Sequence, residues 1–148
     1  MIIDATNMIV GRMASFAAKK ALLGEKVDII NCEKGQITGR KEDVLHKYWY
    51  RARDMGGPRK GPFIIRLPDR FVRRIVKGML PMNKPRGREA HKKVMCYIGV
   101  PEQFKDKPTV KVPGADVSKL NMLKRVSVGD ICKHMGGKWN EFKPLEKP

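Results

Sequence analysis

Apolar positions along this chain switch between short runs and helical spacing, and the switching predicts an α/β fold. Met1–Ala5 is an apolar run that reads as a strand, followed by a turn at Thr6–Asn7. Met13, Ala14, Ala17, Ala18 and Ala21 then recur at helical spacing, with Phe16 and Leu22 beside them. This predicts a helix over about 11–23 whose small residues pack closely on a sheet, stopped by Gly24. Val27, Ile29 and Ile30 make a second strand ending near Cys32. A strand, a helix and a strand in so short a span form a βαβ unit, so the two strands are parallel.

A turn region over 34–39 follows, with a short extended piece at Gln36–Thr38. Val44, Leu45, Tyr48, Trp49 and Ala52 give the buried stripe of a second helix over about 40–53. Glu42 and Asp43 sit in its first turn, where the helix dipole favours them. Residues 55–62 read as a Gly/Pro loop, and Phe63–Leu67 reads equally as a strand or as an extended lead-in. Pro68 suits a first helical turn, and Phe71, Val72, Ile75, Val76 and Met79 form one apolar stripe behind it. Residues 81–88 read as a Pro/Gly loop that is mobile without a partner. Val94–Val100 reads as a strand covered on both faces. Val110 and Val112 mark a short extended piece broken by Pro113–Gly114. Ser127 and Asp130 have the spacing of a helix cap, opening a short helix with Val128, Ile131, Cys132 and Met135 inward. On this reading residues 1–100 are an α/β domain, which the charge and the resemblance set out below make an RNA-binding one. Residues 101–148 are a C-terminal extension laid on that domain or on a neighbour.

Charge turns this fold prediction into a functional one. The 148 residues carry 32 Lys and Arg against 15 Asp and Glu, a net charge of +17. Residues 39–93 hold seventeen of the cations and five of the acids, a net +12. Arg70, Arg73, Arg74 and Lys77 share the face of the Pro68 helix opposite its apolar stripe, with no acid alternating among them. Lys84, Arg86, Arg88, Lys92 and Lys93 follow directly. A solvated helix face usually mixes signs; this one is built to lie against a polyanion. Arg40, Lys41, Lys47, Arg51, Arg53, Arg59 and Lys60 predict a second basic patch. Tyr50 reads first as packing and second as a stacking platform for an unpaired base.

Other chemistries find little support. The first strand-to-helix turn has Gly11 as its one glycine, so the dinucleotide fingerprint and the phosphate-binding lysine loop are missing. No nucleophile–His–acid signature stands out. Asp4 could line a site at the carboxyl edge of the sheet, but it reads better as a cap on the next turn. Cys32, Cys96 and Cys132 are far apart and His46, His91 and His134 are scattered, which predicts buried thiols without disulfide, metal or cofactor. No apolar run reaches membrane-spanning length and no secretory leader is recognisable, so a cytoplasmic location is expected, without membrane or small-molecule partners.

Four stretches resemble one known family: GRMAS at Gly11–Ser15, INCEKGQITGRK at Ile30–Lys41, KGMLPMNKPRGREA at Lys77–Ala90 and VMCYIGVP at Val94–Pro101. They are similar to the universal large-subunit ribosomal protein thirteen family. The tail KRVSVGDICKHMGGKW at Lys124–Trp139 resembles its archaeal type. The resemblance implies a three-layer α/β/α domain around a parallel sheet of about four strands. It implies a non-catalytic constituent of the large ribosomal subunit that binds ribosomal RNA, contacts neighbouring ribosomal proteins and supports assembly and translation. The competing readings are a free nucleic-acid-binding factor and a small RNA-modifying or nucleotide-dependent enzyme.

Overall fold

The structure, a computed structural model, describes residues 1–55, 59–61, 63–120 and 124–139. Its elements in chain order are β1 (Ile2–Asp4), α1 (Val10–Leu22), β2 (Val27–Ile30), β3 (Gln36–Thr38), α2 (Lys41–Arg53), α3 (Pro68–Gly78), α4 (Pro85–Lys92), β4 (Val94–Cys96), β5 (Arg125–Ser127) and α5 (Val128–His134). Short 3₁₀ turns at Cys32–Lys34, Glu102–Phe104 and Val117–Lys119 punctuate the loops.

The βαβ unit forms as its spacing predicts, with β1 parallel to β2 and β2 parallel to β4. Register puts Ile3, Ile29 and Cys96 in one row across the sheet. These side chains, with Val27 and Val94, are buried in one core with α1, α3 and α4. The alanine face of α1 lets it lie close, since Ala14, Ala17, Ala18 and Ala21 are all buried. Asp28 and Met95 pair in the alternate row and so face the other way. On the open edge of β1, Val110 makes a single parallel bridge to Ile3, and its N–H donates to the Ile2 carbonyl at 2.8 Å.

Three expectations are corrected. β4 stops at Cys96 instead of running to Val100, because the chain bends through Gly99, whose φ of +64° is left-handed. The Pro/Gly stretch is helical from Pro85 onward. Pro85 serves as the first helical residue, where no N–H is needed, and Gly87 lets the helix press its backbone onto the Pro81 carbonyl. Met79 falls off the α3 stripe at 40% exposure, because α3 ends at Gly78 and Leu80 turns inward instead. Of the two readings of Phe63–Leu67, the structure shows the extended lead-in and not the strand.

A second, two-stranded sheet pairs β3 antiparallel with β5, setting Ile37 opposite Val126. Ser127 ends β5 and caps α5, its Oγ accepting the Asp130 N–H at 3.0 Å. Val126, Val128, Ile131, Cys132 and Met135 are buried in the same core as α1 and the main sheet. α2 buries no residue fully. It is held at the rim by Trp49 against His134 of α5 and by Tyr48 edge-on to Phe71 of α3, each with ring centroids 5.2 Å apart.

Candidate nucleic-acid interface

The predicted basic residues lie on three helices and the chain around them. Arg40 is the N-cap of α2, and Lys41, Lys47, Arg51 and Arg53 are exposed along it. Arg59 and Lys60 are exposed in the turn that follows, while the glycines and proline at 56–58 lie outside the described residues. Arg70, Arg74 and Lys77 are exposed on α3, and Arg73 is half-buried. Lys84 and Lys93 are the two caps of α4, and Arg86, Arg88 and Lys92 are exposed on it. The amphipathicity of α3 explains its cationic face: burying Phe71, Val72 and Val76 forces the intervening Arg and Lys outward.

Some of these cations are oriented by their own backbone. Arg74 Nη1 donates to the Phe63 carbonyl at 3.0 Å, Arg88 Nε to the Met82 carbonyl at 3.3 Å, and Lys93 Nζ to the Gly24 carbonyl at 3.1 Å. The Arg53 guanidinium lies over the Trp49 ring, 4.8 Å from its centroid. Among the described residues none of the sixteen pairs with an Asp or Glu. The buried Nε of Arg73 has no hydrogen-bond partner there either.

The fold joins what the sequence separated. Arg51 of α2 and Arg74 of α3 line one cavity, so the two predicted patches meet. His91 of α4 faces Arg73 and Lys77 of α3. Burial first, and then those two cations, hold its imidazole below the ordinary histidine range. Sequence reasoning passed over Arg66, exposed in the lead-in to α3, and Ile64 and Ile65, which line the same cavity. Their signal was the run Phe63–Leu67, whose strand-like look hid its place between α2 and α3.

The carboxyl edge of the parallel sheet carries a second cavity of about 600 Å³, bordered by Asn31, Glu33, Gly99 and Asp130 among others. Enzymes of this fold class bind ligands at that edge. Here Asp4 caps the turn after β1: its Oδ1 accepts the Thr6 N–H at 3.0 Å, the Thr6 hydroxyl at 2.7 Å and the Asn31 amide at 3.0 Å. Burial alone raises its carboxyl, but these bonds and nearby Lys34 outweigh that and hold it below the usual range. Glu33 accepts the Gly99 N–H at 3.1 Å. Among the described residues no group of three or more His, Cys, Asp or Glu is placed to hold a metal ion, and no helix is long and apolar enough to cross a membrane.

Residues 1–103 match the ribosomal protein L13 family. The chain belongs to that family. Similar proteins include the large ribosomal subunit protein uL13 of Methanopyrus kandleri, 43% identical over 91% of this chain and 86% of the relative. The protein of the same name from Methanococcus maripaludis is 42% identical over 94% of this chain and 99% of its own length. That of Methanococcoides burtonii is 39% identical over 93% and 99%. All three sources are archaeal, and their matches run past residue 103 into the part of the chain that carries β5 and α5. The L13 family is a structural ribosomal one, so the α/β fold in this chain is a scaffold rather than a catalytic frame.

Proposed function

We propose that this L13-family chain is a structural constituent of the large ribosomal subunit in the cytoplasm. It binds ribosomal RNA through α3, α4 and the loop between them, with α2 and the Arg59–Lys60 turn as a second contact. In this role it touches neighbouring ribosomal proteins and supports subunit assembly and translation. The observation that carries the reading is the state of the sixteen cations. They sit on α2, α3, α4 and the chain around them without carboxylate partners among the described residues, and one of them, Arg73, buries a donor with no acceptor. Such a surface is stabilised by an external polyanion, and phosphate oxygens accept from a guanidinium in pairs. The family expectation of four strands and three layers fits the Val110 bridge as the fourth parallel position. Residues 101–112, which set Phe104 against Tyr97, would then be a thin third layer.

Binding of this kind releases counterions, so affinity for ribosomal RNA should fall steeply with salt, by roughly 0.7–0.9 in the log–log slope per phosphate neutralised. Changing Arg73, Arg74, Lys77 and Arg88 together to Ala should lower that slope by about 3 if each meets one phosphate. Filter binding across a salt series reads it. An unchanged affinity for the quadruple variant refutes the assignment of this face, and wild-type protein that fails to sediment with large subunits refutes the ribosomal role.

A further inference from the structure

We propose that the cavity between α2, residues 63–67 and α3 receives one extruded nucleobase of the bound RNA, an inference that rests on the RNA-binding reading above. The cavity holds about 230 Å³. Its inner walls are Phe71 and Ile75 of α3 with Ile64 and Ile65 of the lead-in. The Tyr48 ring, edge-on to Phe71 at 5.2 Å, closes the α2 side. Arg51 and Arg74 also line it, and among the described residues no acid does.

Three features fit a base and not a larger or purely apolar guest. The volume lies under the roughly 300–1,000 Å³ of sites that take drug-sized ligands, so a single planar ring system suits it. The lining pairs apolar and aromatic walls with two guanidinium groups. A nucleotide has the matching layout: flat π faces attached to an anionic backbone. An aliphatic side chain from a protein neighbour would fill the same walls but would leave two arginines desolvated without an anion. Finally, the Arg74 guanidinium is already fixed, since Nη1 donates to the Phe63 carbonyl at 3.0 Å. A flat cation held in place can stack on a base without first losing conformational freedom. Phe63 itself is 69% exposed beside that bond, an apolar ring left in solvent where the next base in the strand could lie. The tyrosine at the cavity is Tyr48; Tyr50, the one the sequence suggested for stacking, does not line it.

The test uses full-length protein and protein-free large-subunit ribosomal RNA. Ile75→Trp fills the cavity and keeps every charge; Arg74→Lys keeps the charge and removes the plane. Thermal melts verify that each variant is folded, and Arg74→Lys decides if Ile75→Trp is not. In chemical footprinting, wild-type protein should protect an unpaired base that either variant leaves reactive. Affinity should drop about tenfold while the salt slope stays the same, because stacking and not phosphate contact is lost. Folded variants that bind and protect like wild type overturn the inference and leave RNA binding standing. A photo-crosslinking residue at position 63 that reaches only protein in assembled subunits also overturns it. Wild-type protein that ignores the RNA overturns both readings together.

Discussion

At residue scale the polar interior is small and local. Asp4 accepts three hydrogen bonds at one oxygen, two from Thr6 and one from Asn31. The Asn31 backbone has a φ of +53°, a left-handed conformation that asparagine tolerates and most side chains do not. Its N–H meanwhile reaches Gly99 at 3.0 Å, tying the ends of β2 and β4 to the turn after β1. Because the Asp4 carboxyl is held below 3.8, the unfolded chain takes up its proton first as pH falls. The stability from this group is present above 3.8 and is lost as pH drops through the folded value. Asp4→Asn keeps an acceptor but does not titrate. At neutral pH it should cost about 1 kcal/mol, and the gap to wild type should close under acid, as read by thermal melts. Ser127→Ala removes the one side-chain cap on α5 and should cost about 0.5–2 kcal/mol by chemical denaturation.

At the scale of elements, α3 and α4 show what periodicity can and cannot reveal. α3 was legible because Phe71, Val72, Ile75 and Val76 took one face and four cations the other, with Pro68 marking the start. α4 was not, since Pro85, Gly87 and five cations in and around it read as punctuation. Its helical state comes from position: Pro85 at the first turn and Ala90 in the core. Gly87 follows the same logic. A methyl added there would land on the Pro81 carbonyl, so Gly87→Ala should destabilise despite the better helix propensity of alanine. The expected cost is about 1–3 kcal/mol, measured as a shift in the denaturation midpoint. β5 was likewise illegible, because three residues beside a cap carry too short an alternation to announce a strand.

At the scale of the whole molecule, charge and burial divide the work. Cys32, Cys96 and Cys132 are all buried. Burial pushes the Cys132 thiol up to about 12, with the Asp69 carboxylate adding to it. Burial also pushes Cys32 upward, aided by a hydrogen bond with Cys96. Native protein should therefore resist an aromatic disulfide reagent and react fully only after denaturant is added, a contrast that absorbance follows directly.

The sequence by itself determined the periodic elements, the burial of their apolar faces and the excess of positive charge over residues 39–93. These are local properties, set by side-chain type and spacing along a few turns. Only the tertiary structure decided that the two basic patches share a cavity, that residues 125–135 complete the core, and that a Pro/Gly stretch becomes a helix. Each of those depends on contacts between segments far apart in the chain, and no local pattern encodes which distant backbone a residue will meet.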